Sequence, residues 1–293
     1  MAEGPTGSTV PRRQLGRYLR DLRNRSRLTV RAAARQLEWS EAKMWRIETG
    51  QTSLRSLDVE AMCKVYGAPA DLTEALMGLA KETKARGWWH SYGDVIPEGF
   101  DLYIGLEEAA SQIDWYESEL IPGLLQTEDY ARTIIRADNP DEAEDEIERR
   151  ARLRTARQVI LTRATEAPTL RVALSEAVLR RPVGTPAVMA TQLLHLVEAS
   201  GLIQIRVVPF TAGLHLGVMS GPFTILRFPR NPDGSETEPP TVYADGYTGD
   251  LYLDKSREVE RYDKAFSNIW ETALNEQASK DLISEVAGSY GKL

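Results

Sequence analysis

The chain has 293 residues, 42% hydrophobic and 27% charged, with a net charge of −7. This is the profile of an ordinary globular protein of one large or two smaller domains. Its longest apolar runs, such as "LIQIRVVPF", are too short to span a bilayer, and "MAEGPTGSTVP" at the start lacks the apolar centre of a signal peptide. The single cysteine, Cys63, excludes an intrachain disulfide and a thiolate metal cluster, and points to the cytoplasm.

The charge is divided unevenly. Residues 1–86 carry 16 Lys+Arg against 10 Asp+Glu, while residues 87–293 carry 20 against 33. That split implies a front domain that meets a polyanion and a rear domain that one would repel.

Residues 1–11 read as a flexible tail, and 12–86 as five short helices. Leu15, Leu19 and Leu22 form one apolar stripe on a strongly basic helix. Thr29 is placed to cap the next helix, with Ala32, Ala33 and Leu37 as its small packing face. Ser40 caps a third helix that Gly50 ends. Ser53 opens a fourth, stopped by Gly67 and Pro69, and "DLTEALMGLAKETKAR" forms the fifth. Residues 87–105, rich in glycine and aromatics, read as a linker.

From 106 onward the pattern is α+β. "LEEAASQIDWYESEL" reads as helix, broken at Pro122 and Gly123, and Thr127 can cap the next one. "DEAEDEIERRARLRTARQVILTR" reads as a long helix whose Glu146/Arg150 and Glu148/Arg152 spacings suit i,i+4 ion pairs. Five short β-rich runs follow: "TLRVALSE", "LIQIRVVPF", "GPFTILRFP", "TVYAD" and "GDLYLD". Two helices close the chain. The expectation for 106–293 is helices packed on a small, mainly antiparallel sheet.

Winding residues 40–49 at 100° per residue sends Met44 and Ile47 inward. Glu41, Ala42, Trp45, Arg46 and Thr49 then point outward, with Lys43 flanking. A helix of that kind, preceded by another across a turn of about four residues, has the layout of a helix-turn-helix, whose second helix enters the major groove of DNA. Arg46 is the natural bidentate partner for guanine, and Lys43 reaches a guanine or a phosphate. Glu41 suits a cytosine amino group, and Ala42 or Trp45 a thymine methyl. Thr29, Arg31, Ser40 and Arg55 sit at helix starts or turns that face phosphates. The competing account of Lys43 and Arg46 is a solvated helix face; the topology and the basic balance weigh against it. For Trp45 the alternative is contact with another domain or subunit.

"LTVRAAARQLEWSEAKMWRIETG" resembles the Cro/cI-type (XRE, lambda-repressor-like) helix-turn-helix, and its "W-S-x-x-K-x-x-R-I-E-x-G" pattern an actinobacterial branch of it. The resemblance implies a five-helix DNA-binding bundle in which Arg23 and Glu48 form a buried structural ion pair. Val30 stands where such proteins carry a phosphate-contacting glutamine, and Arg31 is positioned to compensate. "RGWWHSY", "YESELIPGLLQTEDYAR", "LRRPVG", "QLLHLVE" and "VVPFTAGLH" resemble the antitoxin-like domain of unknown function appended to these regulators. That implies a small protein partner, encoded nearby, that binds the rear domain and modulates DNA binding. Asp245 of "TVYADG" replaces a glutamate of the family pattern.

Three readings of the rear domain stand side by side. In the first it dimerises and binds a protein partner, with Trp88, Trp89, Pro122, Leu125, Gln126, Tyr130 and Asp245 on the interaction surface. Pro122, Gly123, Leu124 and Tyr130 are equally well explained as core packing around a turn. In the second the domain senses a small molecule between sheet and helices. The third is an enzyme, against which stand three scattered histidines (His90, His195, His215) and the lack of any triad or metal-protease signature. The overall expectation is a cytoplasmic, nucleoid-associated, homodimeric regulator of double-stranded DNA, with no membrane segment, cofactor, metal or catalytic residue.

Overall fold

Leu15, Leu19 and Leu22 meet Met44 and Ile47 at the centre of a helical core that also takes in Val59, Met62 and Cys63. The computed structural model describes residues 9–83, 96, 100–200, 203–231, 233–246 and 249–292. They fall into two units, Met1–Ala109 and Ala110–Leu293.

Among the described residues the first unit holds six helices, one more than expected: α1 (Thr9–Arg25), α2 (Val30–Gln36), α3 (Glu41–Glu48), α4 (Ser56–Tyr66), α5 (Ala70–Glu82) and α6 (Phe100–Ala109). Thr29 Oγ1 accepts from the Ala32 N–H and Ser40 Oγ from the Lys43 N–H, both at 3.1 Å, so the two predicted caps set where α2 and α3 begin. Gly67 closes α4 in the left-handed conformation, φ 69°. Gly16 lets α1 press on α3, since a Cβ there would lie 2.4 Å from the Ile47 carbonyl oxygen. Arg23 of α1 then grips Glu48 at the end of α3, with Nε to Oε1 at 2.6 Å and Nη2 to Oε2 at 2.8 Å. Its Nη1 also donates to the Leu28 carbonyl at 2.8 Å.

Two expected boundaries are corrected here. Residues 9–11, placed in the tail, open α1, and Thr9 is fully buried. Residues 100–105, placed in the linker, are the first turns of α6, which packs on α1 so closely that a Cβ on Gly105 would lie 1.8 Å from Thr9 Oγ1. Small side chains at both contacts allow the approach, and the division between units falls after Ala109.

The second unit carries one six-stranded sheet: β1 (Gln112–Glu117), β2 (Thr169–Ser175), β3 (Gln204–Val208), β4 (Phe223–Arg227), β5 (Thr241–Ala244) and β6 (Leu251–Leu253), in the order β3-β2-β1-β4-β5-β6. The β1–β2 and β2–β3 pairs are parallel; the β1–β4, β4–β5 and β5–β6 pairs are antiparallel. The sheet is therefore mixed and larger than expected. Parallel pairs need long crossovers, here built from α7 (Glu128–Asp138), α8 (Glu144–Ala156), α9 (Glu176–Arg180) and α10 (Pro186–Ala199). The remaining helices are α11 (Leu216–Ser220), α12 (Ser256–Thr272) and α13 (Glu276–Tyr290). The five expected strands are β2 to β6. The sixth, β1, falls inside the stretch read as helix and lies mid-sheet.

One face of the sheet packs Tyr116, Ala173, Phe223, Ile225 and Val242 against Phe266 and Ile269 of α12. Asp114, fully buried in β1, shares that face by register with Arg171. Its carboxylate accepts from Arg171 Nε at 2.6 Å and from Gln112 Nε2 at 3.0 and 3.1 Å, with Arg227 at 3.7 Å. Arg171 also lies over the Phe266 ring, 5.1 Å from its centre. The α7–α8 pair is held by charge: Arg132 reaches Glu128, Asp129 and Glu148, and Arg150 reaches Glu142 and Glu146. The expected Glu148/Arg152 pair forms at 3.9 Å. At the end of β1, Glu117 accepts from Trp115 Nε1 at 3.1 Å, and burial pushes its carboxyl up to about 7.

Glu48→Ala leaves the buried Arg23 guanidinium without its carboxylate, and should cost about 3–5 kcal/mol of stability in the first unit, read by denaturant titration. A loss below about 1 kcal/mol would show that the ion pair does not hold α1 to α3. Glu117 makes stability fall as pH rises. Between its unfolded value of about 4.3 and its folded value of about 7, the native state keeps a proton that the unfolded chain has released. Glu117→Gln should flatten that decline across about pH 5 to 7 in a series of urea midpoints; an unchanged slope would contradict it.

Candidate nucleic-acid interface

Leu37 to Ser40 turn the chain between α2 and α3. Glu38 takes φ 57°, a left-handed conformation uncommon for a side-chain-bearing residue, and the Trp39 N–H returns to the Ala34 carbonyl at 2.8 Å. The turn leaves α3 with two faces. Met44 and Ile47 are 0% and 1% exposed, while Glu41, Ala42, Trp45 and Arg46 are open to solvent, Trp45 at 56%. These four sequence-derived candidates therefore share one surface, aimed away from the core that the Arg23–Glu48 pair locks.

The remaining cations are less free than their residue types imply. Lys43 Nζ sits 3.5 Å from the centre of the Trp39 ring, an i,i+4 cation–π contact that places it at the flank of the face. Arg31 of α2 lies 3.9 Å from Glu41 of α3, both well exposed, so the pair is weak and readily exchanged for a phosphate. Arg55, at the start of α4, is held by Asp58 at 3.0 and 3.3 Å, and that hydrogen-bonded guanidinium keeps the Asp58 carboxyl below its usual range. The Thr29 and Ser40 hydroxyl oxygens accept helix N–H groups, which leaves their hydrogens to donate outward. Trp39 and Asp58 are the members that residue-by-residue reading missed, although both spacings are legible. Charge counting also overstates the basic surface, because Arg12, Arg13 and Arg23 are buried.

In the second unit the structure separates the expected interaction residues. Trp88 and Trp89 lie outside the described residues. Pro122, Leu125, Gln126 and Tyr130 are buried, which corrects their placement on an exposed surface. They belong to an interior turn, where every backbone polar group must find a partner. Tyr130 Oη accepts from the Ile121 N–H at 3.3 Å, and Gln126 Nε2 donates to the Ile121 carbonyl at 2.6 Å. Gln192 of α10 serves the Leu125 carbonyl and the Thr127 N–H, both at 2.7 Å, while Gln158 donates to the Gln126 carbonyl at 2.6 Å. Arg154 donates to Gln126 Oε1 at 3.1 Å, and burial lowers its pKa to about 10.

Asp245 is exposed, just beyond β5 and opposite Asp250 across the β5–β6 hairpin. Desolvation, then Asp250, raises its carboxyl to about 6. His215 Nδ1 accepts the Gly217 N–H at 3.1 Å and so caps α11. Among the described residues no group of three or more His, Cys, Asp and Glu is placed to hold a metal ion, and no helix is long and apolar enough to cross a membrane.

Comparison with known families fits this division. No curated protein and no solved structure matches the chain. Residues 14–76, which run from within α1 through α4 into α5, match the family described as a helix-turn-helix domain, the fold of DNA-binding transcription regulators. Residues 100–285 match the family described as a domain of unknown function, DUF5753, and since that match covers more than half of its length the chain belongs to the DUF5753 family.

Proposed function

We propose that this chain is a dimeric, sequence-specific transcription regulator whose first unit reads DNA and whose second unit controls when it does so. The observation that carries the reading is the two-faced α3, which follows α2 across a capped turn and presents Glu41, Ala42, Trp45 and Arg46 together. In this reading α3 lies in the major groove. Arg46 supplies a bidentate contact to guanine, Ala42 and Trp45 meet a thymine methyl, and Glu41 accepts from cytosine. Thr29, Ser40, Arg31, Lys43 and Arg55 anchor the phosphates on either side. Two heads per dimer read half-sites about one helical turn apart.

The acidic second unit lowers non-specific adhesion to DNA and, in the same reading, receives a small protein encoded nearby. Its exposed Asp245 beside Asp250 suits a basic segment of such a partner. The protein then works in the cytoplasm, on the nucleoid, and no reaction is assigned to it.

Arg46→Ala should cost about 1–3 kcal/mol at one base pair and relax discrimination there. Arg55→Ala should weaken all sequences alike and lower the salt slope by about 1. Fluorescence anisotropy with the chain's own promoter region and single-base variants measures both; the opposite pattern would place the reading face elsewhere. With roughly 6–10 phosphate contacts, affinity should fall about 10³–10⁵-fold between 50 and 200 mM salt, and a flat response would overturn DNA binding.

A further inference from the structure

Five large, exposed apolar side chains lie within ten residues of one another. Phe210, Leu214, Leu216, Val218 and Met219 are 44–75% exposed. They are not the tips of a loose loop. Gly217 puts α11 against the Tyr116 ring, where a Cβ would meet ring carbon at 2.5 Å, and Asn268 Oδ1 of α12 accepts the Leu216 N–H at 2.9 Å. With its glycine side turned inward, α11 holds Leu216, Val218 and Met219 outward as a ridge. Leu216 and Met219 of that ridge also form one wall of a groove of about 360 Å³, whose other wall is Leu253 of β6 with Tyr262 and Ala265 of α12. Exposed apolar ridges beside apolar grooves mark interaction surfaces, because leaving them in water costs free energy that burial recovers.

The occupant is argued from shape and charge. A two-fold interface needs one surface that carries both the knob and the hole, and here they are adjacent on one chain. The groove is also lined by one acid and one base, Glu258 and Arg261, three residues apart on α12. Arg261 has no ion-pair partner among the described residues, and Glu258 has only the exposed Lys255 at 3.6 Å. An antiparallel crossing of two α12 helices would set each Arg261 opposite the other protomer's Glu258, so the lining is complementary to itself. Among the described residues no strand pairs with β6 on its outer side, whereas at the far edge the Val207 backbone of β3 bonds to Ser279 and Leu274 of the closing helical segment.

We propose that the α11–α12 groove is the docking surface for a second copy of this chain, with the Leu216–Met219 ridge of each protomer seated in the groove of its partner. The proposal rests on the reading of the regulator as a dimer and names the surface that makes it one. Sedimentation equilibrium of the full chain tests it, with circular dichroism as the check on folding. Wild type should be dimeric, and Met219→Glu should shift it to monomer. Arg261→Glu should raise the dissociation constant roughly tenfold or more, by setting like charges opposite each other, and Glu258→Arg added to it should restore the dimer. A wild-type dimer unmoved by either single variant overturns the groove as interface while leaving the dimer reading intact. A monomeric wild type overturns both. Variants that keep the dimer but lose a co-purifying protein assign the groove to that protein and overturn the proposal.

Discussion

Glu48 sits almost dry at the end of α3, and the Arg23 guanidinium is what makes that tolerable. Stripping water from a lone carboxylate costs several kcal/mol; a bidentate partner with its own remaining donors satisfied offsets the cost and fixes the geometry. Arg23 meets that requirement by giving two donors to Glu48 and a third group to the Leu28 carbonyl just ahead of α2. One side chain therefore ties α1, the start of α2 and the end of α3. Gly16 brings the backbones close enough for this to happen. The outward face of α3 owes its position to an interior charge pair that is itself shut off from solvent.

The second unit solves the same problem twice with different chemistry. Asp114 in mid-sheet is held by Gln112, Arg171 and Arg227, and Arg227 reaches on to Asp263 of α12, so the charge network fastens helix to sheet. The turn after β1 is equally interior, and four side chains answer for its backbone: Tyr130, Gln126, Gln192 and Gln158. That accounts for the "IPGLLQTEDY" stretch without an external ligand. A buried turn is specified by its hydrogen-bond partners, and those partners are as constrained as any contact residue would be. Among the described residues of this unit, the α11 ridge, its groove and the Asp245 corner are exposed and lie outside that interior network.

Much of the fold was legible. The leucine stripe of α1, the caps at Thr29 and Ser40, and the two faces of α3 are local matters of period and hydrogen-bonding capacity, and they stand as read. So are β2 to β6, each a short apolar run between breakers. The strand β1 was hidden because "SQIDWYES" places an aspartate where a strand interior should be apolar. Beyond the neighbouring Gln112, it takes Arg171 and Arg227, 57 and 113 residues further along the chain, to make that aspartate acceptable. The burial of Arg12 and Arg13 was hidden for the same reason, since composition cannot tell a cation that faces solvent from one turned inward, whereas that of Arg23 was implied by the family resemblance.

By itself the sequence determined the caps of α2 and α3, the short strands β2 to β6, which side of α3 faces inward, and that positive charge gathers in the front third. These depend on neighbours within about four residues, whose geometry follows from covalent structure and helical period. Tertiary structure alone decided the mixed order of the sheet, the long-range partners of charges such as Asp114, and the outward turn of Leu216, Val218 and Met219. Each of those depends on what a distant segment offers: a guanidinium for Asp114, a carboxylate for Arg23, a tyrosine ring that leaves Gly217 room for no side chain at all.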